Sequence, residues 1–316
     1  MADLPHRVAA FLKGTPWHDW QALPLAGDAS ARRYLRLVGP RGDTAILMDA
    51  DPAIAGDAAP FVAMAGWLLD NGLTAPRLLH GDLPAGLLLI DDLGTATLAE
   101  AAAATDEDRL YDAAVDVLVA LDHLTPPSGL TVMTPDIGAQ MVAITAETYH
   151  PCNPAPLVSA VRAALADHVP VADRIALRDY HAENLIWRPD RSGLDRVGLL
   201  DFQDAFVAPR GYDLASLLRD IRRTVAPAQV SRQTARFAAA TGVDPDTLAA
   251  QLATLGAQRN LRILGVFARL ARTGKPRYGL MLPAVWDTLL LDLAHPALTT
   301  LRQVVLATLP PPQDRR

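Results

Sequence analysis

Leu177-Arg178-Asp179-Tyr180-His181-Ala182-Glu183-Asn184, followed by the apolar pieces Leu185-Ile186-Trp187 and Val197-Gly198-Leu199-Leu200 and then by Asp201-Phe202-Gln203-Asp204, is the stretch on which the reading of the chain turns. It sets an Asp and an Asn five positions apart in a polar segment, and a second Asp seventeen residues after the Asn at the end of an apolar strand. Transfer of a phosphoryl group from ATP needs such a set: a carboxylate to orient and deprotonate an acceptor hydroxyl, and hard oxygen ligands to hold magnesium against the phosphates. Asp179 suits the first task, Asn184 and Asp201 the second. Strand ends fix their geometry while the loop between them stays open to a substrate.

Upstream, the chain reads as short strands with one helix. Arg33-Tyr34-Leu35-Arg36-Leu37-Val38, the turn Gly39-Pro40-Arg41-Gly42-Asp43 and Thr44-Ala45-Ile46-Leu47-Met48 predict a hairpin. Phe61, Val62, Met64, Trp67, Leu68 and Leu69 have helical spacing that Asn71-Gly72 stops. The apolar run Gly86 to Ile90 breaks at Asp91-Asp92-Leu93-Gly94, which reads as a hinge between two lobes. Beyond it the character is helical, with a Thr-x-x-Asp capping pattern at Thr105 and further helices predicted at 156–168, 212–223, 246–272 and 284–308. The expected division is a β-rich lobe over 1–91 and a helical lobe over 92–316.

The 316 residues are 50% apolar and 20% charged, a composition that excludes a disordered or collagen-like chain. A net charge of -6 without a basic run removes the footprint of a nucleic-acid binder. No apolar stretch approaches the ~18 residues of a membrane span, and no leader pattern opens the chain, so a cytoplasmic protein is expected. Cys152 is the single cysteine, which leaves no internal disulfide and no thiolate metal site. Lys13 and Lys275 are the only lysines, so any role that requires lysine has two candidates.

The Asp-x-x-x-x-Asn interval, followed by strand, turn, strand and Asp, matches the catalytic and metal loops of kinases. With Arg210-Gly211-Tyr212-Asp213-Leu214-Ala215 in order behind it, the chain resembles the aminoglycoside phosphotransferase and choline kinase-like enzymes. That resemblance implies an α+β, two-lobed protein-kinase-like fold with a small β-rich N-lobe and a larger helical C-lobe. It implies Asp179 as catalytic base, Asn184 and Asp201 as magnesium ligands, and Asp213 as the brace of the catalytic loop. Nucleotide contacts are implied at Ser30, Arg32, Arg33, Ile46, Asp92 and Leu93, with ATP and magnesium as cofactors. Gly27-Asp28-Ala29-Ser30, Arg32-Arg33-Tyr34, Leu47-Met48-Asp49-Ala50 and Leu200 to Ala205 narrow the resemblance to anomeric kinases for N-acetylmuramate and N-acetylglucosamine in bacterial cell-wall recycling. Small-molecule kinases acting on an aminoglycoside, choline or homoserine, and a nucleotide-binding pseudokinase, are the alternatives. An amino sugar and ATP are the expected partners of a monomer, with neither nucleic acid nor membrane among them.

Departures from the pattern shape the remaining expectations. Leu177 stands where most relatives carry His, Met48 stands where a phosphate-binding Lys belongs, and its Glu partner is missing from 57–70. Arg33, or failing that Arg32 or Arg36, is expected to grip the ATP phosphates in place of that lysine, since a guanidinium fork binds phosphate oxygens bidentately. Strand alternation sends Arg33 to one face and Arg32 with Arg36 to the other, so only one set serves. Arg178 or Arg210 is expected to meet the lactyl carboxylate of the muramate sugar. Two readings stand for each of three residues: His181 as loop packing or a substrate hydrogen bond, Glu183 as a solvated charge or a sugar-hydroxyl acceptor, and Asp204 as a turn cap or a sugar contact.

Overall fold

A computed structural model describes residues 6–25 and 32–312. By internal contacts the chain divides into two compact units, Met1–Thr97 with Leu185–Asp204, and Leu98–Asn184 with Ala205–Arg316. The first unit thus runs past the expected boundary at 91 and also takes in a segment from beyond it. The cause is backbone pairing: Leu199 N–H donates to Thr74 O at 2.8 Å and Trp187 N–H to Ala96 O at 2.8 Å.

The first unit carries a five-stranded antiparallel sheet in the order β1-β2-β3-β5-β4, with β1 Gln21–Pro24, β2 Arg33–Val38, β3 Thr44–Asp49, β4 Leu78–Asp82 and β5 Leu87–Asp91. The predicted hairpin is present, with Leu35 opposite Leu47 and Leu37 opposite Ala45. Those residues, together with Leu87 and Leu89, pack against Val8 and Leu12 of helix α1 (His6–Leu12). Alternation therefore sends Tyr34, Arg36, Ile46 and Met48 to the opposite face. Helix α2 (Pro52–Ala55) precedes α3 (Ala59–Asp70), which ends at Asn71 as expected. Phe61 of α3 stacks on Phe202 with ring centroids 5.1 Å apart, beyond the short hairpin of Leu185–Trp187 and Val197–Leu199.

The second unit is mainly helical: α4 Leu98–Ala101, α5 Glu107–Asp122, α6 Pro135–Gln140, α7 Ala143–Thr148, α8 Ala155–His168, α9 Tyr212–Leu218, α10 Pro227–Thr241, α11 Pro245–Arg272, α12 Leu282–Leu293 and α13 Thr299–Thr308. Arg174–Ala176 pairs antiparallel with Phe206–Ala208. Several boundaries differ from the sequence expectation for local reasons. The cap of α5 is Asp106, not Thr105, accepting from Asp108 N–H at 3.1 Å. The helix expected over 212–223 ends at Leu218, after which Asp220 accepts from Arg222 N–H at 3.0 Å and turns the chain. Pro296 divides the span expected over 284–308, because the residue before a proline is driven out of the helical region. Helix α10 went unforeseen since its buried face includes Gln229 and Gln233 beside Phe237 and Ala238. The short helices α6 and α7 were not expected either. Among the described residues no helix is long and apolar enough to cross a membrane.

Two glycines let α11 approach its neighbours. A Cβ at Gly265 would lie 2.7 Å from the backbone of Ile144 and Thr145 in α7, where Thr148 Oγ1 donates to Gly265 O at 2.6 Å. One at Gly256 would lie 2.7 Å from Cγ of Asp292 in α12, a buried carboxylate paired at 2.6 Å with Arg219. Gly66 in α3 meets nothing within 4 Å. Gly265→Ala is therefore expected to lower the unfolding free energy by about 1–3 kcal/mol through overpacking, although alanine is the better helix former. Gly66→Ala is expected to raise it by about 0.5–1 kcal/mol. Denaturant midpoints of the two variants test both signs.

Candidate active site

Arg174–Ala176 delivers the chain into the loop Leu177–Asn184, and the loop's conformation follows from one buried carboxylate. Asp213 Oδ2 accepts from Leu177 N–H at 2.5 Å and Oδ1 from Arg178 N–H at 3.0 Å. Presenting two successive N–H groups to one carboxylate requires a sharp bend, and Arg178 adopts a left-handed φ of 77°. Its carbonyl is held in turn by Arg259 Nη1 at 2.8 Å. Arg259 also donates to Ser216 Oγ at 2.6 Å and lies over the Tyr212 ring. Burial pushes the Asp213 carboxyl up to about 7, against the two N–H bonds and Arg259, which pull it down. On the far side of Asp179, Tyr180 donates its hydroxyl to Ala114 O at 2.8 Å and anchors the loop to α5.

Asn184 closes the loop. Its Nδ2 donates to Asp179 O at 2.9 Å and lies 3.2 Å from His181 Nε2. This fixes the carboxamide plane and sets its oxygen on the edge away from those two contacts. Burial first, then Arg222 and Arg259, push His181 down to about 3, so its ring is neutral near pH 7. Nε2 then accepts from Asn184 and Nδ1 carries the proton. The main chain on both sides of Asp179 is thus fixed, while its carboxylate is half-buried and makes no hydrogen bond or ion pair among the described residues.

Asp179 lines a cavity of about 190 Å³ inside the second unit, together with Arg178, Arg219, Arg222, Arg259 and Arg262. Asp220 is the other carboxylate on its wall. His181 contributes to the wall, whereas Glu183 is exposed and pairs with Arg222 at 3.1 Å. Arg210 lines a different pocket, paired with buried Asp122 at 2.8 Å. Arg259 and Arg262 were not foreseen. Their signal was the run Gln258-Arg259-Asn260 and Arg262 interrupting the apolar spacing of a long helix.

In the first unit, Asp201 follows the hairpin at a φ of 58° and accepts from Gln203 Nε2 at 2.7 Å. Arg178 and Asp201 are the two non-glycine residues with positive φ among those described. Such conformations cost on the order of 1–3 kcal/mol and cluster at functional sites. Burial raises the Tyr34 phenol, with Arg32 acting against that rise and Asp201 adding to it, so each of these two charges lies within electrostatic reach of Tyr34. Arg33 instead pairs at 2.6 Å with Asp49 on the face that α1 covers. Arg36 is tied to Asp92 at 2.6 Å, Ile46 lies opposite Arg36, and Leu93 packs where a Cβ on Gly198 would sit 2.9 Å away. Asp204 is exposed, and Ser30 lies outside the described residues. Among the described residues no group of three or more His, Cys, Asp and Glu side chains could hold a metal.

The chain belongs to the phosphotransferase enzyme family, whose profile matches residues 21–253. It is a phosphotransferase with an alcohol group as acceptor, built on the two-lobed kinase-like fold with a small β-sheet lobe and a larger helical one. It is 39% identical to the N-acetylmuramate/N-acetylglucosamine kinase of Caulobacter vibrioides over 93% of this chain and 93% of that protein. The enzyme of the same name from Pseudomonas aeruginosa is 32% identical over 82% of this chain and 79% of its own length. A choline/ethanolamine kinase family protein from Mesorhizobium loti has a similar fold, with a TM-score of 0.65 at 14% identity over 95% of this chain and 98% of that one.

The depressed His181 value predicts a pH effect on stability. Below about 6.5 the unfolded chain takes up a proton that the folded chain refuses, so stability falls as pH drops from there toward 3. Between pH 6 and 5 this residue is expected to remove about 1 kcal/mol. Denaturation of wild type and His181→Gln at those two pH values checks it, the variant losing less on acidification.

Proposed function

We propose that the protein is an ATP- and magnesium-dependent kinase that phosphorylates the anomeric hydroxyl of N-acetylmuramate and N-acetylglucosamine, forming sugar 1-phosphates for cytoplasmic cell-wall recycling. The observation that carries the chemistry is the half-buried, unpartnered Asp179 carboxylate on the wall of an arginine-lined cavity. Identity to the two kinases named above carries the choice of sugars.

Asp179 accepts the proton of the acceptor hydroxyl as that oxygen attacks the γ-phosphorus of ATP, and the bond from that phosphorus to the bridging oxygen breaks so that ADP leaves with its electron pair. An anomeric hydroxyl is more acidic than an ordinary alcohol, because the ring oxygen withdraws electron density, so a carboxylate base needs to remove little proton density. Bound magnesium-ATP supplies the phosphoryl group and the charge that neutralises it. Asn184 and Asp201 each offer the hard oxygen that magnesium takes, and would hold the ion in this reading with few protein ligands beside the phosphates. Arg32, which like Asp201 acts on the Tyr34 phenol, is the replacement for the absent lysine in this reading. Ile46 and the hinge residues Asp92 and Leu93 contact the nucleotide in this reading.

Asp179→Asn is expected to lose about 10²–10⁴ in kcat while still binding ATP, as removal of a general base should. Arg32→Ala should raise the KM for ATP more than Arg33→Ala does. Activity of the Asp179 variant within a few-fold of wild type would remove the base assignment.

The acceptor reading is tested on the product. Phosphorus and proton NMR should show coupling between phosphorus and the anomeric proton for both sugars. A 6-phosphate, or turnover confined to aminoglycosides or choline, overturns the sugar-1-kinase reading.

A further inference from the structure

Four of the five arginines on the Asp179 cavity have protein partners. Arg219 pairs with Asp292 at 2.6 Å, and Arg222 with Glu183 at 3.1 Å and Asp220 at 3.6 Å. Arg259 holds Arg178 O and Ser216. Arg178 is fixed through its backbone by Asp213 and Arg259. Arg262 makes no hydrogen bond or ion pair among the described residues, although it is half-buried on the same wall as Asp179. Burial first, then the guanidinium groups of Arg178 and Arg259, weigh against its charge, while Tyr212 and the Asp179 carboxylate favour it. A guanidinium placed beside two others and held by no hydrogen bond of its own keeps its donors for an anion that enters the cavity. Its planar fork matches a carboxylate bidentately.

We propose that Arg262 binds the carboxylate of the acceptor and thereby sets the preference between the carboxylated and the neutral amino sugar. The assignment rests on the sugar-kinase reading and deepens it. The two sugars differ by one lactyl group, so a pocket that takes both must meet a carboxylate when it is there and water when it is not. An arginine already locked to a protein carboxylate cannot change partners in this way without leaving that carboxylate bare. Arg262 can, and Arg210, engaged with Asp122 in another pocket, cannot.

The test is steady-state phosphorylation of N-acetylmuramate and N-acetylglucosamine at saturating ATP by wild type, Arg262→Gln and Arg262→Lys, with calorimetric titration of each sugar into the same three proteins. The expected result is a fall of about 10–100-fold in the ratio of kcat/KM for the carboxylated sugar to that for the neutral one in Arg262→Gln, the size of a lost charge-assisted hydrogen bond. The fall should come mainly from KM, with part of the ratio kept by Arg262→Lys and the same order of affinities in the titrations. Equal losses on both sugars overturn the assignment, since they place Arg262 on the transferring phosphoryl group or in the fold. An unchanged ratio overturns it as well. If wild type phosphorylates only the neutral sugar, Arg262 loses its role while the sugar-kinase reading stands. If it phosphorylates neither, both fall together.

Discussion

Asp213 holds two successive backbone N–H groups, those of Leu177 and Arg178, and the geometry around the catalytic loop depends on that pair of bonds. A carboxylate is a suitable acceptor because both oxygens take a hydrogen bond at once, whereas an amide in its place would turn an N–H toward an N–H. Donors converge this way only if Arg178 is left-handed, a conformation that an L-residue resists by about 1–2 kcal/mol. Arg259 on the Arg178 carbonyl and Tyr180 on Ala114 offset that resistance. Helix α9 is thereby recruited through its first turn and α11 through its middle, so elements distant in sequence converge on a single bend. The main chain at Asp179 is held in place without a hydrogen bond from its own carboxylate, as the proposed role of a base requires.

Replacement of the expected lysine follows the same logic of removing charges in pairs. Met48 is fully buried, opposite Tyr34 in β2 and Leu88 in β5. A lysine there would need a carboxylate partner, and α3 supplies none, since its only acidic residue is the exposed Asp70 at the C-terminal end. With both members absent no charge is stranded, and the position becomes core.

How much of this was legible in the sequence depended on the range of the interaction. Asp179, Asn184 and Asp201 stood out because short spacings within one supersecondary unit carry them, and Asp213 because it opens a helix soon after. The faces of β2 were legible as an alternation, but not which face serves the site, because the phase is set by α1 packing on Leu37 and Leu47. The Asp49 partner of Arg33 was likewise hidden in the sequence. The return of 185–204 to the first unit was hidden for a related reason: the partners of that hairpin, Thr74 and Ala96, are about a hundred residues away in sequence. Arg262 gave only a faint signal, since a polar residue within an apolar helical stripe reads equally as a solvated break.

The charge of the cavity bears on which acceptors the fold admits. Five arginines face two carboxylates there, Asp179 and Asp220. A cationic acceptor such as an aminoglycoside or choline would add like charge to that wall, so the pocket disfavours it by repulsion as well as by lack of contacts. Two of the arginines are held in place by the protein itself. Arg219 is fixed by Asp292, itself buried and pushed up to about 6 by that burial, and Arg259 by the loop it braces. Because Arg219 and Arg259 are held by protein groups, part of the positive charge of the wall is built into the fold, a preorganisation that suits the neutral or anionic acceptor proposed above.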